Sequence, residues 1–190
     1  MRDLFTAAQQ LQSFCQKQGW PFCFIGGLAV WRWGKQRFTQ DIDLTVLAGF
    51  REAEKIVDIF LANFRSRVPD GREMFVSHRV VLLFSEGGAP VDIALGGLPF
   101  EEQAVARASD FEFIPGQPLR VCSAEDLVVM KAFAGRPHDW GDLDAVIARN
   151  PAGLDWTYIY AQLTPLAELK AAPELVEQLR ALEQKWRSAG

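Results

Sequence analysis

Residues 41–47 read Asp-Ile-Asp-Leu-Thr-Val-Leu. Apolar and polar positions alternate, which predicts a strand with one buried face. Residues two apart on a strand point to the same side. Asp41 and Asp43 therefore present two carboxylates side by side, backed by Ile42, Leu44 and Val46. Carboxylates at such spacing repel each other and cost stability unless a cation neutralises them. The stretch thus constrains both the fold and the ligand: a half-buried strand must sit here, and something positive must meet it.

Two further signals bear on that strand. Phe22 to Ile25 reads as a short apolar strand. Gly26-Gly27 then turns into a helix from Leu28 to about Trp33, ended by Gly34. Glycine lets the backbone approach a ligand closely, and a helix N-terminus offers free N–H groups and positive dipole character. Asp92 stands alone between Val91 and Ile93, in a strand expected to neighbour the first. An isolated acid in an apolar run needs a reason, and a shared metal site supplies one. Magnesium suits the set, because it prefers oxygen ligands and takes one or two carboxylates plus substrate phosphates. Each signal is weak alone. Asp-x-Asp is common on solvated strand ends, Gly-Gly is usually a turn, and a lone acid can sit on an exposed edge. In this order, on these elements, they point to chemistry on a nucleoside triphosphate.

The remaining chain divides near residue 120. Asp3 to Gln18 reads as a helix, from Leu4, Ala8, Leu11 and Cys15 at helical spacing and Gly19 beyond them. Arg51 to Phe64 is an amphipathic helix. Glu73 to Phe84 reads as β-rich, Ser85 to Pro90 as a hairpin turn, and Val91 to Leu95 as the returning strand. A short helix is expected over Phe100 to Ala108, then an extended stretch from Phe111 to Val121 broken by Pro115 and Pro118. From Ser123 onward the pattern is helical: about 124–133, 138–149, 156–163 and 173–186, punctuated by Pro151, Pro165 and Pro173. The expected domains are residues 1–120, mixed α and β, and residues 121–190, helical.

Composition sets outer limits. A chain of 190 residues, 49% hydrophobic and 23% charged, can bury a real core. A net charge of −4 does not advertise a nucleic-acid surface, although local basic clusters occur at 32–37 and 65–79. The three cysteines, Cys15, Cys23 and Cys122, show no metal spacing and read as buried thiols in a reducing compartment. No apolar run approaches the length of a membrane span and no signal peptide is evident, so a soluble, cytoplasmic protein is expected.

Ile25-Gly26-Gly27, Asp41-Ile42-Asp43 and Val91-Asp92-Ile93 together resemble the nucleotidyltransferase superfamily, the fold of DNA polymerase β. The fuller string of Gly26-Gly27-Leu28-Ala29, Gly34, Arg37, Thr39 and Asp41 to Leu44 is similar to AbiEii-type and related minimal bacterial nucleotidyltransferases. Glu125-Asp126-Leu127, Lys131, Ala134-Gly135-Arg136, Asp139 and Asp142-Leu143 resemble the helical segment those proteins carry after the catalytic domain. The resemblance covers roughly residues 20 to 148. It implies an α+β fold: a nucleotidyltransferase-type mixed β-sheet with flanking helices, followed by a helical C-terminal half.

It also implies an activity. Asp41, Asp43 and Asp92 would be the catalytic acids and would hold two Mg²⁺ ions, with Mn²⁺ as a substitute. Gly26 and Gly27 would hold the triphosphate, with Arg37, Thr39 and Lys131 as further nucleotide-binding residues. An acceptor hydroxyl would attack the α-phosphate and release pyrophosphate, with Asp92 helping to take the proton. The acceptor would be an RNA or tRNA end, a protein side chain or a small molecule, and the toxin resemblance implies an antitoxin protein as partner. Arg136, Asp139 and Asp142 are expected to form an ion-pair network between two helices. The alternative function is a non-catalytic or antitoxin-like module of the same fold that binds a nucleotide or a protein.

Overall fold

A computed structural model describes residues 2–36, 39–49, 51–150 and 153–188. It divides into two compact units: residues 1–28 with 38–122, and residues 29–37 with 123–190.

The first unit is built on a seven-stranded mixed sheet. Its strands are β1 (Phe22–Phe24), β2 (Ile42–Leu47), β3 (Arg65–Ser66), β4 (Val80–Phe84), β5 (Pro90–Gly96), β6 (Ser109–Ile114) and β7 (Gln117–Val121). They lie in the order β3-β4-β5-β2-β1-β7-β6. β2 runs parallel to β5, and β1 parallel to β7; the other neighbours are antiparallel. β4 and β5 form the expected hairpin around residues 85–89.

The alternation read from the sequence becomes a two-faced sheet. Ile42, Leu44, Val46, Val91, Ile93, Leu95, Val81 and Leu83 are all buried. The opposite face of the same strands carries Asp43, Asp92 and Leu82, each half-buried. Burying each large aliphatic side chain contributes on the order of 1.5–3 kcal/mol.

Helix α1 (Arg2–Gln18) buries Leu4, Ala8, Leu11 and Cys15, the positions its periodicity singles out. It packs against β7 and β2. Helix α3 (Ala53–Asn63) buries Ile56, Val57 and Phe60. Phe14 of α1 meets Phe60 and Phe64 with ring centroids 5.7 and 5.0 Å apart, and Trp20 lies 5.1 Å from Phe60. All three cysteines are buried. Burial pushes the Cys15 thiol up to about 12, so it is inert at neutral pH.

Three expectations change. Residues 73–78 are not β-structure: α4 (Arg72–His78) is a helix, and only Val80–Phe84 is a strand. Met-Phe-Val looks strand-like locally, but tertiary contacts decide. Phe75 is fully buried, and Arg72 donates to Asp58 of α3 at 2.6 and 3.0 Å. Arg79 then ends the helix in the left-handed region, φ 53°. Secondly, Pro118 does not break the stretch from 111 to 121. It sits within β7, where its carbonyl accepts from Gln9 and Gln12 of α1 at 2.9 and 2.8 Å. Only Val121 of β7 pairs with β1, so Pro118 interrupts no ladder there. After the turn at Gly116, β6 and β7 form a hairpin with an irregularity at Glu112 to Ile114.

The second unit is helical. α2 (Gly26–Trp33) begins in the first unit and ends within the second, while α5 (Pro99–Arg107) belongs to the first. The second unit's own helices are α6 (Ala124–Ala134), α7 (Pro137–Arg149), α8 (Trp156–Leu169) and α9 (Glu174–Arg187). Arg149 donates to the Gly34 carbonyl at 2.8 Å and Asn150 to that of Trp33 at 2.9 Å, which ties Trp33 and Gly34 to the C-terminal end of α7. Ser123 caps α6, accepting from the Asp126 N–H at 3.1 Å. Asp126 is fully buried and accepts from the Ser123 and Tyr158 hydroxyls, each at 2.6 Å.

The third change is Pro165, where the sequence predicts a helix end and the structure continues α8 through it. Leu163 and Ala167 on either side are both fully buried, so packing carries the helix across it. Pro165 itself is exposed, where water can satisfy the carbonyl its missing N–H leaves open. Replacing Pro165 with Ala should stabilise the protein by about 1–3 kcal/mol. The check is the urea unfolding midpoint; no gain would show that α8 is already relaxed around the proline.

Candidate functional site

The site is a row across the open face of the sheet. The parallel pairing of β2 and β5 sets Asp43 directly opposite Asp92. Asp92 in turn faces Leu82 of β4. Arg67 follows β3 and donates its backbone N–H to the Leu82 carbonyl at 2.9 Å, so it continues the same row. On the other side, the Ile25 N–H donates to the Asp43 carbonyl at 3.0 Å, which places the Gly26 turn beside Asp43.

Both glycines are shaped by these neighbours. Gly26 has φ +55°, and a Cβ there would lie 2.0 Å from Asp43 Oδ2. A Cβ on Gly27 would lie 2.4 Å from Thr39 Oγ1. The Gly27 N–H donates to Asp43 Oδ2 over 3.4 Å. Thr39 is buried and its hydroxyl donates to Asp41 Oδ1 at 2.8 Å. Gly26, Gly27, Thr39, Asp41 and Asp43 are therefore linked, and Asp92 joins through the sheet.

Asp41 departs from its expected place. β2 begins at Ile42, so Asp41 is on the approach to the strand, exposed, with its carboxylate turned to Thr39. Among the described residues, no three His, Cys, Asp or Glu side chains gather into a ready metal cage. The donor chemistry still fits a hard divalent cation: two carboxylates in register with a third nearby, at the start of a helix, leave room for water and phosphate oxygens in the shell. Arg37 lies outside the described residues.

Arg67, which no sequence signal singles out, stands on the same row. Its guanidinium is paired with the Asp92 carboxylate. The sequence showed only a basic residue among others at 65–79, and its partner is far along the chain.

Lys131 belongs to the second unit. Its ammonium is buried and lies 2.8 Å from both Asp139 Oδ1 and Asp142 Oδ2. Arg136 donates to Asp139 Oδ2 at 2.7 Å. The expected network between α6 and α7 is thus present, with Lys131 at its centre. Burial pushes the Asp139 carboxyl up, but hydrogen bonds from Arg136 and Lys131 outweigh that and hold it at about 2.

A mixed sheet with a Gly-Gly helix start against paired acids, followed by a helical unit, is the nucleotidyltransferase fold. The chain superposes on an antigenic nucleotidyltransferase-like protein from Paracoccidioides brasiliensis with a TM-score of 0.55 and 18% identity, over 95% of this chain and 94% of that one. It superposes on the lincosamide antibiotic adenylyltransferase LnuA with a TM-score of 0.50 and 12% identity, over 74% of this chain and 94% of that one. At these identities the likeness concerns the fold. Residues 14–164 match the nucleotidyl transferase AbiEii toxin family of type IV toxin–antitoxin systems, and the chain belongs to that family. It is a nucleotidyltransferase. No curated protein sequence matches it. No helix among the described residues is long and apolar enough to cross a membrane.

Two predictions follow from the geometry. Gly26→Ala adds a side chain at positive φ and against Asp43, and should cost about 2 kcal/mol or more in urea unfolding. A cost below about 0.5 kcal/mol would mean the turn relaxes freely. For Asp139, the native carboxyl titrates below the ordinary unfolded value of about 3.9. Its stabilisation is complete above pH ~4 and is lost as pH falls toward about 2. The stability gap between wild type and Asp139→Asn should therefore be wide at pH 6 and shrink steeply below pH ~4.

Proposed function

We propose that the protein transfers a nucleoside monophosphate from a Mg²⁺-bound nucleoside triphosphate to an acceptor hydroxyl. The observation that carries this is the register of Asp43 against Asp92, with the Gly26-Gly27 helix start packed on Asp43. Asp43 and Asp92 would hold the divalent ions, with Asp41 as the third carboxylate, and Mn²⁺ could replace Mg²⁺. When bound, such ions neutralise charge on the triphosphate and on the attacking and leaving oxygens. Thr39 holds Asp41, and the N-terminus of α2, whose Gly27 N–H donates to Asp43 Oδ2, would hold phosphate oxygens beside that acid. The acceptor oxygen forms a bond to the α-phosphorus, the bond from that phosphorus to the bridging oxygen breaks, and pyrophosphate leaves. The acceptor's proton passes to a carboxylate of the row, for which Asp92 is the candidate. Arg37 would contact the nucleotide.

Membership of a toxin family supports a role as the toxin of a toxin–antitoxin pair, with an antitoxin as its counterpart. An RNA end, a protein side chain and a small hydroxylated molecule are the acceptor classes to separate. Purified protein with Mg²⁺ and α-³²P-labelled NTPs should label one of them when offered total RNA, protein extract or an aminoglycoside. Asp43→Ala and Asp92→Ala should each reduce labelling by at least about a hundredfold. Undiminished labelling by the double variant would refute the site.

A further inference from the structure

We propose that Arg67 is the resident counter-cation of Asp92: it holds that carboxylate beside Asp43, and a divalent ion must take the carboxylate from it. This rests on the metal-dependent reading of the site given above. The argument starts from the sheet. Arg67, Leu82, Asp92 and Asp43 occupy one cross-strand row on one face. Two adjacent carboxylates in a row repel, and the row itself supplies a positive charge at its end. That charge is placed by a fixed backbone. The Arg67 N–H is held by the Leu82 carbonyl at 2.9 Å. On either side, the Ser66 hydroxyl donates to the Val68 carbonyl at 2.7 Å and accepts from the Val68 N–H at 3.1 Å. The guanidinium therefore starts from a clipped loop and reaches over Leu82 to Asp92.

Exposure makes the pair exchangeable. The Arg67 and Asp92 side chains are 30% and 38% exposed, so water screens their attraction. Pairs of this kind contribute little net stability and can be broken without unfolding anything. A doubly charged ion with oxygen ligands on Asp43 as well as Asp92 competes well against one guanidinium. Arg67 is thus a positioning residue. It keeps the two acids aligned in the metal-free protein and sets a threshold that a divalent ion must exceed.

The test measures metal binding directly, without nucleotide and without turnover. Free Mn²⁺ is followed by electron paramagnetic resonance during titration of wild type, Arg67→Gln, Arg67→Lys and Asp92→Asn. Arg67→Gln should bind Mn²⁺ about three- to tenfold tighter than wild type, because the competitor is gone. Arg67→Lys should return toward the wild-type value, and Asp92→Asn should bind more weakly. A second measurement uses the wild-type protein alone: the side-chain N–H resonances of Arg67 should move when Mg²⁺ is added. Unchanged or weaker Mn²⁺ binding by Arg67→Gln, with Asp92→Asn still impaired, overturns the role of Arg67 and leaves the site intact. Arg67 resonances that stay fixed at saturating Mg²⁺ overturn it equally. If wild type and Asp92→Asn both fail to take up Mn²⁺, the metal-dependent reading falls and this proposal with it.

Discussion

The parallel pairing of β2 with β5 is the constraint on which the rest depends. It runs from Ile42 opposite Val91 to Leu47 opposite Gly96. Rows alternate between the two faces, so the apolar rows determine where the acidic row falls. A slip of one residue would turn Asp43 or Asp92 into the core and bring Leu44 or Ile93 to the surface. Each displaced aliphatic chain would forfeit on the order of 1.5–3 kcal/mol. Two carboxylates about 4 Å apart repel by about 1 kcal/mol in water and by a few kcal/mol near a protein surface. Several buried rows outweigh one repulsive row. Hydrophobic burial therefore forces like charges together, and the site exists because the core overrules its electrostatics.

The residual charge is then managed by neighbours rather than removed. The Gly27 N–H points at Asp43, the Thr39 hydroxyl at Asp41, and the Arg67 guanidinium at Asp92. The glycine pair has a double reason to be glycine. Gly26 adopts a left-handed backbone, and any Cβ on it would collide with the Asp43 carboxylate. Gly27 gives the same clearance to Thr39. The close approach that suits a phosphate is first of all the approach that lets a helix start beside an acid.

What the sequence displays is whatever depends on local period and spacing. Strand alternation in β2 and β5, the helical spacing of Leu4, Ala8, Leu11 and Cys15, and the Ser123 cap could all be read in this way. What it hides are choices made by distant partners. Met74-Phe75-Val76 looks like a strand until Phe75 finds a core and Arg72 finds Asp58. Pro165 looks like a stop until buried residues on both sides hold the helix together. Asp41 follows the alternation of β2 but precedes the strand, because Thr39 draws its carboxylate away. Arg67 carries no motif at all. It is brought to Asp92 only by the sheet order, which sets it in the same row two strands away.

The two units treat buried charge in opposite ways, and the contrast shows where a ligand can act. Asp139 is fully buried and Lys131 and Asp142 nearly so, with Lys131 bonded to both acids at 2.8 Å. Removing one member of such a set leaves an uncompensated charge in a poor solvent, which costs far more than the set contributes. A nucleotide phosphate drawing Lys131 away would strip Asp142 of that partner and leave Asp139 with the mostly exposed Arg136 and His138. The ammonium joins α6 to α7. Asp43 and Asp92 are half-buried instead, and the partner of Asp92 is a screened guanidinium. Exchange is cheap there, because water can enter and the lost pair is weak. A replaceable ion pair on the acidic row of the sheet thus suits the nucleotide site proposed there, where charged substrates would be bound and released.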